Sequence, residues 1–279
     1  MNLPTILATI NLHWLHSLPQ WEFCLIVIVS FVAVAVGGQM AMRPLLRRWF
    51  GDRDYNDFVG HYISAFGVLY GITLGLISVG AWENYGDVES KVSAEAAALA
   101  SLYRNVDTYP EPKRAELTGL IRNYTRTVID IAWPEMQRGI VPRGSNPLIT
   151  VLQKALVTFE PKTEGQKVLH AETLYRFNQV VEARRLRLDC VEGRLPTILW
   201  VVVLAGSLMS FVLTWLLVVE NRLLHDVLTA IMATLLALLI FLLVTLDLPF
   251  QGQGSVGPDS FELVYNQLMT ANPIAPQSW

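Results

Sequence analysis

Four uninterrupted apolar stretches constrain this chain more than any other feature. They cover residues 23–42, 58–82, 195–219 and 227–246, and none contains Asp, Glu, Lys or Arg. A helix of about 20 apolar residues crosses a bilayer, so each stretch is long enough to span one. Only 16% of the 279 residues are charged, which is low for a soluble domain. The sequence therefore predicts an all-α membrane protein with four transmembrane helices, and lipid as a partner.

The four spans pair along the chain as two hairpins, which predicts four regions. These are an amino-terminal transmembrane hairpin (1–82), an extramembrane antiparallel helical bundle (83–196), a carboxyl-terminal transmembrane hairpin (197–247) and a tail (248–279).

Residues 83–196 have helical patterns and no convincing strand. Strong helix formers follow span 2 without a proline, which predicts one long helix to about Val106. The sequence TYPEP (108–112) ends it. Two further helices are predicted at 148–159 and 164–192, before a break at GRLP (193–196). The helix after TYPEP carries an apolar stripe formed by Leu117, Leu120, Ile121, Tyr124, Val128 and Ile131.

The distribution of basic residues in the short loops favours one membrane orientation. Loop 43–57 contains four arginines and loop 220–226 one, whereas residues 1–22 and 248–279 contain no Lys or Arg. The positive-inside rule therefore favours both short loops inside and both termini outside. Arginines just before span 3 oppose this orientation, but long segments translocate largely regardless of charge.

The sequence contains no recognisable catalytic, cofactor or nucleotide-binding motif. His13 and His16 have a spacing that could hold a metal but are too few, so we expect an interfacial anchor there. Cys24 and Cys190 lack a CxxC partner and indicate no redox or metal role. The net charge of −3 argues neither for nor against nucleic acid. We expect no enzyme activity, no cofactor, no metal and no nucleic-acid partner.

Span 2 has two distinct faces on a helical wheel. Gly67, Gly71 and Gly75, the glycine stripe, recur every four residues, a spacing that lets membrane helices approach closely. One alternative is that this stripe packs against span 1 or span 4 of the same chain. The other is that copies of span 2 pack around an axis and turn a second face towards it. That second face, the apolar α2 face, comprises Leu69, Ile72, Leu76 and Val79, and leads to Glu83.

Six segments resemble the bestrophin-like family of bacterial four-span membrane proteins, remote relatives of the bestrophin anion channels. They are VLYGITLGLISVGAWENY (68–85), SAEAAALASLYR (93–104), PEPKRAEL (110–117), IRNYTRTVIDIAWPEMQRG (121–139), LDLPFQG (246–252) and VGPDSF (256–261). The resemblance covers about residues 20–265. It implies a bacterial inner-membrane homo-oligomer, favours a pentamer, and implies an ion channel whose pore is lined by span 2.

The chain departs from bestrophins in three respects. It lacks the acidic calcium clasp, so calcium gating is not implied. Bestrophins keep their termini in the cytosol, opposite to the orientation favoured by the loop charges. Glu83 and Asp87 at a pore mouth would favour cations over anions. The alternative function is a non-conducting membrane sensor or scaffold whose bundle binds a partner.

The tail motif LDLPFQG follows span 4 directly. Asp247 lies at the membrane boundary, where a carboxylate needs a partner, and we expect an Arg or Lys of the 83–196 bundle. Pro249 opposes further helix. With Phe250, these residues predict a latch between tail and bundle; the alternative is a solvated stop after the span.

Overall fold

The structure, a computed structural model, describes residues 19–50, 55–143, 146–252 and 254–270, without the side chains of Arg47, Phe50 and Asn146. Every regular element in these ranges is helical, as predicted. The α-helices are α1 (Gln20–Phe50), α2 (Asn56–Asp107), α3 (Lys113–Thr127), α4 (Trp133–Gln137), α5 (Asn146–Val157), α6 (Glu164–Glu192), α7 (Thr197–Trp215), α8 (Arg222–Asp247) and α9 (Asp259–Val264). Single π-helical segments follow α3 at Val128–Ala132 and α9 at Tyr265–Met269.

Four helical stretches are long and apolar enough to cross a membrane, which is the number of such helices that the sequence predicted. They are Gln20–Leu46, Asn56–Asp107, Glu164–Trp215, which joins α6 and α7, and Arg222–Asp247. The first span extends further than predicted, because α1 continues through Pro44 to Phe50. Residues 43–50 of the expected loop 43–57 are therefore helical. Proline inside a helix removes one backbone hydrogen bond without forcing the helix to stop.

Helix α2 is a single helix of 52 residues, as predicted from the absence of proline between its ends. It ends at Asp107, and Arg104 in its last turn complements the helix dipole. Helix α6 covers the predicted range 164–192, and the Thr163 side chain caps its first turn by accepting a hydrogen bond from the Gln166 N–H.

Two compact units divide the described residues. The first contains the described residues up to Tyr85 together with Arg194–Leu248, Gly252 and Gly254. Its most extensive helix pairing is between α1 and α8. Its core joins side chains from all four of its helices: Ala35, Tyr70, Leu74, Ala81, Val203, Phe211, Ala233, Leu236, Ile240, Leu243 and Leu246.

The second unit contains Gly86–Gly193, Pro249–Gln251 and the described residues from Ser255 onward. In α3, the predicted stripe residues Leu117, Ile121 and Tyr124 are buried. Ile131 was predicted to continue this stripe, but it is 52% exposed. The prediction was wrong because the π-helical segment at Val128–Ala132 interrupts the 3.6-residue period on which it depended.

Candidate functional site

The apolar α2 face is exposed along its whole length in the first unit. Leu69 is 69% exposed and Leu76 is 70% exposed, and Ile72, Val79 and Glu83 are also exposed. The opposite side of the same helix is anchored, since Leu74 and Ala81 are almost fully buried. Helix α2 therefore contacts its own chain along one side and leaves an apolar strip without a partner in the described chain.

The glycine stripe also has no described side chain packed against it. A Cβ atom placed on Gly67, Gly71 or Gly75 would meet nothing within 4 Å among the described residues. The alternative that this stripe packs against span 1 or span 4 of the same chain is therefore wrong. The close approaches between spans occur at other glycines of the first unit.

Gly38 and Gly206 are the glycines against which large rings pack. A Cβ on Gly38 would overlap the Trp215 ring, and a Cβ on Gly206 would overlap the Tyr70 ring. The Trp215 indole also donates a hydrogen bond of 2.8 Å to the Ala35 carbonyl. Glycine at these two positions lets α7 receive Tyr70 from α2, and lets α1 receive Trp215 from α7.

The Gln39 side chain ties α1 to α8. The Gln39 amide donates a hydrogen bond to Asp226 Oδ1 and accepts one from the Thr229 hydroxyl, both at 2.6 Å. Gln39 and Thr229 are buried. Such bonds stabilise helix pairs in membranes, because the polar atoms have no water to bind instead.

Asp247 ends α8 and is buried. Its carboxylate accepts hydrogen bonds from the backbone N–H of Leu195 and from the Trp200 indole, the latter at 3.1 Å. Two neutral donors of the first unit thus hold Asp247, where we had expected a Lys or Arg of the bundle to do so. No ion pair between Asp247 and a Lys or Arg occurs among the described residues; Arg194, in the predicted 83–196 region, adds a weaker charge attraction to these two hydrogen bonds.

The residues after Asp247 pack into the second unit. Pro249 accepts a hydrogen bond of 2.8 Å from the Val256 N–H, which closes a turn. Phe250 and Phe261 are buried on Trp133, with ring centroids 5.9 and 5.7 Å from it. The Trp133 indole donates a hydrogen bond to the Val256 carbonyl. Phe250 of the tail motif is therefore part of this unit's core.

A charged pair lies beneath these rings. The Arg187 guanidinium donates hydrogen bonds of 2.7 and 3.3 Å to the Glu95 carboxylate, and both side chains are fully buried. The Tyr124 hydroxyl donates to the same carboxylate at 2.7 Å. Arg187 also lies 5.6 Å from the Phe261 ring centroid, within cation–π range. Burial and then the Glu95 charge raise the pKa of Tyr124 well above its usual value, so Tyr124 is a neutral donor at physiological pH.

The described residues contain no group of three or more His, Cys, Asp and Glu that could hold a metal ion. His13 and His16 lie outside the described residues. His61 is exposed, with Nδ1 at hydrogen-bonding distance from the Asp57 carbonyl one turn earlier.

Sequence reasoning missed several of these contacts, although some left a signal. Gln39 and Tyr70 are polar residues in apolar spans, a pattern that marks a specific partner. The pair of Glu95 and Arg187 left none, because the two residues are 92 positions apart and Arg187 lies among other charged residues.

Comparisons with known proteins agree with the helical architecture. The Bestrophin-like domain family matches residues 29–261, which is most of the chain. A crystal structure of a bacterial Bestrophin homolog from Klebsiella pneumoniae, carrying one mutation, has a TM-score of 0.65 at 11% identity. That match covers 88% of this chain and 99% of the homolog.

A second structure of the Klebsiella pneumoniae homolog, obtained by Zn-SAD phasing, gives a TM-score of 0.62 at 11% identity and covers 90% of this chain and 99% of that one. At this identity the likeness concerns the fold alone. No match was found among curated proteins. With its membrane-length helices and the family match over 29–261, the chain is a membrane protein that belongs to the bestrophin-like family.

Proposed function

We propose that this protein is an oligomeric ion channel in which α2 lines the pore. The observation that carries the proposal is the exposed apolar α2 face, Leu69, Ile72, Leu76 and Val79, on a helix whose other side is anchored in its own chain. A ring of such faces around an axis makes a narrow apolar neck, and such constrictions gate pores by dewetting. Glu83 lies one turn beyond Val79, at the mouth of this neck.

The glycine stripe supports the oligomer. Small residues at four-residue spacing let membrane helices approach closely, and Gly67, Gly71 and Gly75 have open space beside them in the isolated chain. We propose that a neighbouring copy fills this space. A pentamer follows from the family resemblance, as does location in a bacterial inner membrane with several spans. The partners are then other copies of the chain, the bilayer and inorganic ions.

The tail latch is also part of the proposal. Asp247 closes α8 against the break before α7, and Pro249 and Phe250 continue directly into the second unit. The chain thus passes from one unit to the other within three residues. We propose that Pro249 and Phe250 latch the tail onto the bundle within the second unit, through the packing of Phe250 on Trp133.

Ion selectivity is the point at which the family and the residues disagree. Resemblance to bestrophins implies anions, whereas Glu83 would concentrate cations at the mouth. The reversal potential under a salt gradient distinguishes the two. If Glu83 sets selectivity, Glu83→Gln shifts that potential away from the cation value.

The test of the channel is conductance of the reconstituted protein. We expect Leu76→Ala and Ile72→Ala to raise single-channel conductance, because a wider and less apolar neck is easier to wet. Leu235→Ala is the matched control, since Leu235 is similarly exposed but lies on α8. Unchanged conductance in both neck variants would contradict the assignment. A monomer or dimer in detergent, without current, would favour the sensor or scaffold function.

A further inference from the structure

Tyr70 is inserted into a notch on α7 in the first unit. Its hydroxyl donates to the Val203 carbonyl at 2.6 Å and lies 2.8 Å from the Ser207 hydroxyl. The side chain is 8% exposed, and its ring stacks on Phe66 at 5.6 Å. This is a polar contact of α2 inside the apolar part of the unit.

Gly206 shapes the floor of the notch. Any side chain there would overlap the Tyr70 ring, so the ring can seat fully only because this position is glycine. The ring and the hydroxyl of Tyr70 thus depend on different features. The ring fits because Gly206 has no Cβ, and the hydroxyl is held by the oxygen atoms of Val203 and Ser207. An aliphatic side chain of similar size would use the first feature and not the second.

The position of Tyr70 along α2 gives this contact a consequence. Tyr70 lies between Leu69 and Ile72 in the sequence, at the same height along α2 as the apolar α2 face. Its side chain points towards α7 instead of along that face. Successive helical residues are separated by 100°. Holding Tyr70 in the notch therefore determines which residues of α2 face away from the chain. Rotation of α2 would leave the hydroxyl without a partner in an apolar medium, which is unfavourable.

We propose that Tyr70 is a positioning residue of the channel: seated against Gly206 and bonded to Val203 and Ser207, it fixes the rotation of α2 and so selects the neck residues. This proposal rests on the proposed function, since it concerns the pore face. Tyr70 does not touch the ion. It acts through Leu69, Ile72 and Leu76.

The test is cysteine accessibility along α2 in the full-length protein in liposomes. Cys24 and Cys190 are first replaced by Ser, and single cysteines are introduced at Leu69, Ile72, Leu76, Thr73 and Ile77. With Val79→Ser also present to keep the neck wet, a membrane-impermeant thiol reagent should modify positions 69, 72 and 76 quickly and 73 and 77 slowly. This readout follows rotation and does not require a measured current.

Loss of the hydroxyl should rotate the pattern. In Tyr70→Phe, we expect modification at position 73 to rise relative to position 72 by about fivefold to tenfold, the effect of one net hydrogen bond on an equilibrium. Gly206→Ala should give a larger change, because it displaces the ring. Adding Gly206→Ala to Tyr70→Ala should change nothing further. Tyr62→Phe is the control, since the exposed Tyr62 lies on the same helix.

The outcomes separate the two proposals. If positions 69, 72 and 76 resist modification in the starting protein, α2 does not line a water-filled pore and both proposals fall. If they react but the pattern is the same in Tyr70→Phe and Gly206→Ala, the channel stands and the positioning role is refuted. Should Gly206→Ala fail to assemble, Ser207→Ala replaces it, with a smaller expected change because the Val203 carbonyl still accepts a hydrogen bond from the Tyr70 hydroxyl.

Discussion

Replacing Arg187 by Met should strongly destabilise the second unit. Met has a similar length and no charge, so the main loss is the ion pair to Glu95, which is fully buried. Breaking a buried pair from one side leaves an uncompensated charge and costs about 3–5 kcal/mol. Tyr124 still donates one hydrogen bond to Glu95, which places the expected value towards the lower end of that range.

Thermal unfolding in detergent, followed by intrinsic tryptophan fluorescence, measures the effect. For a chain of this size, 3–5 kcal/mol corresponds to a fall in Tm of about 6–20 °C. The matched control is Glu164→Gln, which breaks the exposed ion pair between Glu164 and Lys167 and should cost less than about 1 kcal/mol.

The double variant Glu95→Gln with Arg187→Met tests the mechanism. It removes both charges, so its loss of stability should be smaller than the sum of the two single losses, by about 0.5–3 kcal/mol. The reasoning is refuted if Arg187→Met lowers Tm no more than Glu164→Gln, or if the two single losses simply add.

Three further predictions concern Tyr124, Gly38 and Phe261. Because the pKa of Tyr124 is raised in the folded protein, the unfolded chain, in which tyrosine titrates at about 10, loses the Tyr124 proton at a lower pH than the folded chain does. The contribution of Tyr124 to stability is therefore present below about pH 10 and is lost as the pH rises above it. Tyr124→Phe should remove this part of the decline in Tm between about pH 9 and 11. Gly38→Ala should cost about 1–3 kcal/mol by overpacking Trp215, whereas Gly37→Ala, with open space around it, should be neutral or slightly stabilising in the same thermal assay. Phe261→Ala should cost about 3–5 kcal/mol, and a loss no larger than that of the exposed Leu263→Ala would contradict its place in the core.

Helix existence was predictable because it depends on local information. The absence of proline from 56 to 107 was enough to predict the continuous α2, and GRLP was enough to predict the break before α7. The failure at Ile131 is also local in origin, since one π-helical turn rotates every later side chain relative to the expected stripe. The sequence carries no comparable signal for that turn.

The site was less predictable because its contacts join distant parts of the chain. Span 2 clearly had two faces, but the sequence did not indicate which glycines have a side chain of another helix packed against them. Gly206 lies 136 positions from Tyr70, in a different span, and only the fold brings them together. The partner of Asp247 was misjudged for a related reason: charge counting considers side chains, and a backbone N–H of Leu195 supplied the bond.

Substitutions at the two kinds of glycine in the first unit should depend differently on protein concentration. One kind has a ring of the same chain packed against it, and the other has open space beside it among the described residues. Gly38 and Gly206 receive rings from the same chain, so a substitution there acts on each molecule alone, whatever the protein density in the membrane. Gly67, Gly71 and Gly75 have no such neighbour in the part of the chain that the structure describes, so we assign any penalty for filling them to an encounter between molecules. Substitutions in the glycine stripe should therefore have effects that diminish as the protein is concentrated, because higher concentration favours the associated state.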